Sequence, residues 1–381
     1  MIENRVADRF THVMLAAFLF IALSAVADGT DLKPGLRFRF ERNGPLFVPV
    51  EAIGASRTFI LDTGASPCML DTRFRSKLTI AGKVKMRTAA GTIPLRTYSQ
   101  PDLTISGVTL EARSDAVLIG MLPFCEATGK TVDGVVGLSV LQDHVLRISA
   151  AERQFELLNS VPSDPGTEIP VTWPKGDGLN ANLLFSEKHQ ERCLVDSGSM
   201  SEVTLRADLF DFLYDVGSIT RIREIVVQTA NGPARKKEGI LDDVALGSWQ
   251  HSGVVVNRGT TFSYVGLKYL NRYTVTFDFP GRRLFLKPGK YFAEKSRRTC
   301  LGVGIYWRDE NVRLKYVIVG SPAAQAGLEA DDIIESVNGK PVDASSLFKL
   351  RRLFENDGET VSLSVRRGDR VTSVKIKLVD F

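Results

Sequence analysis

Between about residue 35 and residue 290 the chain spells one arrangement twice, which restricts its fold to architectures built from two copies of one unit. In the first copy the apolar run Thr58-Phe59-Ile60-Leu61 leads into Asp62-Thr63-Gly64-Ala65-Ser66. In the second, Cys193-Leu194-Val195 leads into Asp196-Ser197-Gly198-Ser199. Further on, Thr88-Ala89-Ala90-Gly91 is answered by Thr229-Ala230-Asn231-Gly232, each a turn-forming stretch between segments able to pair as a hairpin. Later still, Val135-Val136-Gly137-Leu138 and Leu141 are answered by Tyr264-Val265-Gly266-Leu267 and Leu270. The spacing from Gly137 to Leu157 equals that from Gly266 to Leu286, and Arg153 and Arg282 fall at equivalent places. Three landmarks recurring in one order are hard to obtain by chance.

The local texture within each copy is that of strands. Leu36, Phe38 and Phe40 alternate with polar residues, an Asn43-Gly44 turn follows, and 47–50 begins another short strand. The stretch 161–166, rich in Pro, Gly, Ser and Asp, falls between the copies and reads as the linker. With 381 residues, 44% hydrophobic and 24% charged, two or three packed units are expected. A net charge of +5 spread over short, scattered clusters describes a solvated surface, and no nucleic-acid partner is expected.

At the N-terminus Arg5 and Arg9 precede an uncharged run, 13–27, that ends in Ala25-Val26-Ala27. This is the layout of a signal peptide, 1–27, and predicts export to a periplasm or the exterior. An uncleaved segment would instead anchor the chain to a membrane, the one membrane contact expected. Cys68, Cys125, Cys193 and Cys300 are too far apart in sequence to suggest a zinc or redox site, so no metal or other cofactor is expected. Two readings of the cysteines stand open: a Cys68–Cys125 disulfide, or buried thiols.

The first copy, with its Asp-Thr-Gly after an apolar strand, its flap turn at Ala90 and Gly91 and its Val135-Val136-Gly137, resembles a retropepsin lobe. The second, with Asn231 and Gly232 at its flap turn, resembles the same lobe again. Two in one chain resemble the bilobed pepsin arrangement. The resemblance covers about 250 residues and implies a mainly β fold, two retropepsin-like β-barrel lobes (35–162 and 167–290) forming a pepsin-like pseudo-dimer. It also implies that Asp62 and Asp196, one from each lobe, are the catalytic residues of an aspartic endopeptidase, and that the hydroxyls of Thr63 and Ser197 bond across the lobe interface.

The chemistry accounts for these residue types. Hydrolysing a peptide without a metal or a covalent nucleophile needs one group to deprotonate water and another to protonate the carbonyl oxygen. Two carboxyls roughly 3 Å apart do both, because the pair shares one proton. Gly64 and Gly198 let the backbone turn tightly and bring amides to the carboxylates. Ser199 follows Gly198 where Ala65 follows Gly64. A hydroxyl donated by Ser199 to Asp196 would give Asp196 the charge, leave the proton on Asp62 and make the pH optimum less acidic. The first flap lacks the tyrosine found near the flap tip of pepsin-like enzymes, and Ser197 stands where Thr is commoner.

From about residue 298 the texture changes. Leu301-Gly302-Val303-Gly304-Ile305, a strand at 317–319, a capped helix ended by Gly327, a return strand from Asp332, an Asn338-Gly339 turn and a helix capped by Ser346 follow in order. Strands at 361–365 and 371–378 close the sheet. This resembles a PDZ domain, β with two helices, spanning 298–381, and is similar to those of exported bacterial proteases. The resemblance implies that amides around Gly302–Gly304 capture the C-terminal carboxylate of a peptide ligand, which pairs beside the strand from Ile305. The alternative is that this groove packs on the chain's own lobes.

The histidines (His12, His144, His189, His251) are isolated, and no serine lies in a nucleophile elbow. The expected partners are therefore a polypeptide substrate and a C-terminal peptide ligand. The chain is expected to be monomeric, since both aspartate motifs are in one copy. The competing reading is a non-catalytic peptide-binding scaffold built from a retired protease fold and a PDZ domain.

Overall fold

The computed structural model describes residues 35–381 apart from 89–90, 175–177, 187–188 and 230–231. The signal-peptide segment and the flap residues Ala90 and Asn231 lie outside the described residues. In the first copy the strands that build the site are β1 (Ala55–Leu61), β2 (Ile80–Thr88), β3 (Gly91–Tyr98), β4 (Ala116–Ile119) and β5 (Gly134–Val136), with helix α1 (Leu122–Thr128) between β4 and β5. They belong to a nine-stranded sheet. The second copy supplies β6 (His189–Asp196), helix α2 (Ala207–Asp215), β7 (Ile219–Thr229), β8 (Gly232–Leu246), β9 (Trp249–Arg258) and β10 (Ser263–Gly266), in an eight-stranded sheet.

Each aspartate ends a strand buried on both faces. β1 runs parallel to β5, with Ile60 opposite Val135 and Leu61 opposite Val136, and Phe59, Ile60 and Leu61 are consecutively buried. β6 runs parallel to β10 in the same way, with Val195 opposite Val265 and Asp196 opposite Gly266. Buried parallel pairing explains why the sequence before each aspartate is an unbroken apolar run and does not alternate.

A six-stranded sheet joins the copies. The hairpin of Val145–Ser149 and Gln154–Leu158 meets the hairpin of Tyr273–Asp278 and Arg283–Pro288, with Arg147 opposite Thr276 at the seam. Arg153 and Arg282, at the two hairpin turns, share a left-handed backbone, φ 54° and 55°. The repeat is thus a repeat of backbone conformation too. Leu146, Phe155, Val275, Phe277 and Leu286 are buried in the core that runs through both copies, each such side chain contributing about 1.5–3 kcal/mol.

The C-terminal module has its own core and a sheet of β11 (Val303–Arg308), β12 (Asn311–Val317), β13 (Ile333–Val337), β14 (Thr360–Arg367) and β15 (Arg370–Lys377), with β11 at one edge. Its helices are α3 (Pro322–Gln325) and α4 (Leu347–Leu353). Two sequence details are corrected. The strand expected over 317–319 ends at Val317, and Val319 is 94% exposed, with no sheet partner to hold it. Ser346 does not cap α4 with its side chain; it completes a capping box with Asp343 around the 3-10 turn Ala344–Ser346.

Candidate active site

The two Asp-(Thr/Ser)-Gly loops face each other. Asp62 Oδ1 accepts from the amides of Gly64 at 2.7 Å and Ala65 at 3.2 Å; Asp196 Oδ1 accepts from Gly198 at 2.8 Å and Ser199 at 3.1 Å. A methyl group on Gly64 would stand 2.5 Å from Asp196 Cγ, and one on Gly198 would come closer still to Asp62. Only glycine lets each loop pass beneath the opposite carboxyl. Between the loops the Ser197 amide donates to Thr63 Oγ1 at 2.9 Å and the Thr63 amide to Ser197 Oγ at 3.1 Å. Each hydroxyl then donates across the interface, Thr63 to Val195 O at 2.8 Å and Ser197 to Leu61 O at 3.3 Å. Thr63 and Ser197 are buried, so these bonds are shielded from water.

The carboxyls face each other, and both are held above the ordinary carboxylate range. Burial is the main cause for each; for Asp196, pushed furthest, the charge on Asp62 is next. The expectation that Asp196 takes the charge loses its ground. Its premise, a hydroxyl donated by Ser199, does not hold, because Ser199 Oγ lies 2.8 Å from Ser201 Oγ and only the Ser199 amide serves Asp196.

The flaps are two hairpins. β2 pairs with β3 up to Thr88 opposite Gly91, where Thr88 Oγ1 donates to Gly91 O at 2.7 Å; β7 pairs with β8 up to Thr229 opposite Gly232. Arg87 of the first flap places its guanidinium 4.7 Å from the Phe262 ring centre, reaching the other copy. Phe262 packs on Tyr264, whose phenol is pushed up to about 12 by burial, with the charge of Asp196 adding to it. Sequence reading did not single out Arg87 or Phe262. The signal for Tyr264 was its place two residues before Gly266, on the strand paired with β6.

The four cysteines are free thiols, which corrects the Cys68–Cys125 pairing. Cys68 lies in the main core under the aspartate loop, its sulfur facing the Gly137 amide and the Ser139 hydroxyl. Cys125 lies on α1 beside a different apolar cluster and accepts from the Val132 amide at 3.2 Å.

In the C-terminal module Leu301, Val303 and Ile305 are buried core residues, and Gly302 has a left-handed φ of 82°. The Gly302 amide, expected to face a carboxylate, donates to Thr299 Oγ1 at 3.1 Å. Gly304 lies against the Tyr316 ring and pairs with Tyr316 across the ladder. The strand edge from Ile305 is covered by α1 and by Arg351, which donates to Ile305 O at 2.9 Å.

The fold and this site define a mainly β, two-lobed protease architecture followed by a PDZ domain. The aspartyl protease family model matches residues 48–140, and the PDZ domain model matches residues 313–367. Among curated proteins, the chain is similar to the serine protease Do-like HtrA of Bacillus subtilis (strain 168), 38% identical over 73 residues, 18% of this chain and 16% of that protein. It is also similar to a probable CtpA-like serine protease of Staphylococcus haemolyticus (strain JCSC1435), 30% identical over 91 residues, 23% of this chain and 18% of that protein. The chain therefore spans less than a fifth of either relative.

Proposed function

We propose that this chain is an exported aspartic endopeptidase whose Asp62/Asp196 pair activates water against a peptide bond of an extended polypeptide, with a PDZ domain that recognises peptide C-termini. The observation that carries the reading is the meeting of two carboxyls, one from each copy, cradled by matching amides and both raised by burial. Asp62, as carboxylate, takes a proton from the water as its oxygen bonds to the carbonyl carbon. Asp196 gives its proton to the carbonyl oxygen. Collapse of the resulting diol breaks the C–N bond as one diol hydroxyl returns its proton to Asp196, and the amine leaves with the proton Asp62 had taken.

The serine-protease names of the relatives bear on the short shared stretches. His251 sits among Tyr269, Tyr273 and Phe292, and burial, then the charge of Arg272, lowers it to about 4, poor placement for a general base at neutral pH. Export rests on Arg5, Arg9 and the run 13–27, and monomeric action on the presence of both aspartates in one chain.

The test is cleavage of an unfolded polypeptide and a peptide library across pH 3 to 8 by the chain from Asp28 onward, beside Asp62→Asn and Asp196→Asn. Loss in both variants is the expected result. No cleavage at any pH by a folded protein that still binds peptides would establish the scaffold instead.

A further inference from the structure

The two copies differ most where α1 stands. Fourteen residues, 120–133, separate β4 from β5 in the first copy, whereas four, 259–262, separate β9 from β10 in the second. The extra residues form α1, opened by Pro123 in its first turn and closed by Gly129, whose left-handed φ of 69° lets its amide return to Cys125 O at 2.8 Å. One side of this helix belongs to the catalytic lobe. Phe124 and Cys125 pack on a cluster of Ile60, Ala65, Met86, Ile119 and Met121, against which Ile93 and Leu95 also rest. That cluster lies under the Asp62 loop, through Ala65, and under the first flap, through Met86 on β2 and Ile93 on β3.

The other side of α1 belongs to the PDZ domain. It lies along β11, the edge strand where an incoming peptide would add, with α4 on the far wall. Arg351 of α4 reaches across the groove with one guanidinium nitrogen, donating to Ala127 O at 2.7 Å and to Ile305 O at 2.9 Å. The Ile305 carbonyl is a group an added strand would pair with. Glu126 forms an ion pair with Arg308 at 2.6 Å, and Gly129 packs so closely on Ala344 that an added methyl group would stand 2.8 Å from its carbonyl oxygen. The groove is filled from within.

We propose that α1 is a latch that occupies the PDZ groove while bracing the cluster under the aspartate loop and the first flap, so that a polypeptide C-terminus entering the groove releases α1 and loosens the flap. The proposal rests on the PDZ reading and not on cleavage. A helix inserted between β4 and β5, where the second copy has only the four residues 259–262, and seated at that one place, is the observation behind it. Because the groove opens only in the released state, its apparent affinity for peptide is the intrinsic affinity reduced by the released fraction.

The test uses the full chain and peptides of about ten residues that end in Val, Leu or Phe, each with a free or an amidated C-terminus. Binding is measured by fluorescence anisotropy, and hydrogen exchange is followed over 80–98 and 122–129. Saturating free-acid peptide should speed exchange in both segments. Glu126→Arg, which sets a mostly buried cation against the half-exposed Arg308, should tighten peptide binding about threefold to tenfold, and Glu126→Arg/Arg308→Glu should return it to the starting value. Binding with no change in exchange over 122–129 would overturn the latch, as would Glu126→Arg binding no more tightly than the parent. Faster exchange over 122–129 alone would refute the coupling to the flap. Should Glu126→Arg fail to fold, the exchange measurement on the parent chain decides. None of these readouts requires catalysis, so an inactive but peptide-responsive chain would refute the peptidase reading and leave the latch standing.

Discussion

Removing the Thr63 hydroxyl should cost more stability than removing that of Ser197, although the two look equivalent in sequence. Thr63→Ala orphans the Ser197 amide and the Val195 carbonyl, which it holds at 2.9 and 2.8 Å; Ser197→Ala orphans the Thr63 amide and the Leu61 carbonyl, held at the longer 3.1 and 3.3 Å. A net hydrogen bond contributes about 1 kcal/mol, and a buried group left unpaired costs about 1–3 kcal/mol. Thr63→Ala should therefore destabilise by about 2–4 kcal/mol and Ser197→Ala by about 1–3 kcal/mol, while Thr63→Ser, which keeps the oxygen, should cost under about 1 kcal/mol. Urea unfolding read from tryptophan fluorescence in a Trp307→Phe background, which leaves Trp173 and Trp249 of the second lobe as reporters, measures these differences. The same variants should lose kcat more than KM, since the loops they loosen position the carboxyls and do not bind substrate. If Thr63→Ala and Ser197→Ala each cost less than about 0.5 kcal/mol, the bonds between the loops are not what holds them together.

Gly64→Ala should abolish cleavage in a protein that still folds, because its methyl group would stand 2.5 Å from Asp196 Cγ and must push the carboxyls apart; circular dichroism and peptide hydrolysis separate the two effects. Burial raises both carboxyls of the pair, so the folded lobes keep a proton that the unfolded chain releases. Stability from this source is complete below the ordinary value of 3.8 and is lost as pH rises through the folded value, so Asp196→Asn should lose less unfolding midpoint than the parent between about pH 4 and pH 8. Glu202→Gln should destabilise by about 3–5 kcal/mol in thermal or urea unfolding, because Arg272, its buried partner at 3.2 Å, would be left uncompensated.

What was legible in the sequence follows from which forces act locally. The apolar runs before Asp62 and Asp196, the hairpin turns and the shared spacing to Leu157 and Leu286 are local patterns, and they name a two-copy mainly β fold without any contact being known. Side-chain hydroxyl partners are not local. Ser199 follows Gly198 in sequence, yet its hydroxyl turns to Ser201, two residues on, because the Asp196 carboxyl is already served by amides. Cys68 and Cys125 sit in one copy, yet they face separate apolar clusters on either side of a sheet strand, where no disulfide can span. Arg351 reads as one more basic residue on an exposed helix, and only packing against α1 turns it into a buried bridge, its guanidinium lowered to about 10 by burial.

The departures from two-fold symmetry therefore carry more information than the symmetry. Everything needed to bring two carboxyls together is duplicated: the buried parallel strands, the amide cradles, the crossed hydroxyls and the seam hairpins. A duplicated unit can hold a proton between its copies, but it treats both sides of a cleft alike. What distinguishes the sides of the cleft here is α1 in the first copy and, in the shorter connection of the second, Phe262 packed on Tyr264 of β10. Arg87 of the first flap reaches that second connection, while α1 reaches the module beyond it. The first flap is thus tied at its strands to the opposite lobe and at its base to the PDZ groove. The second flap has no matching insertion of its own; its strand β7 also touches α1, and Arg223 on it donates to Thr299 O at 2.9 Å. Replacing 122–129 with a short turn patterned on 259–262 should free peptide binding at the groove and raise hydrogen exchange over 80–98, through the shared apolar cluster, as well as over 219–229, which α1 touches. Freed peptide binding with no rise over 80–98 would mean that α1 only fills the groove, and that its place under the first flap has no mechanical consequence.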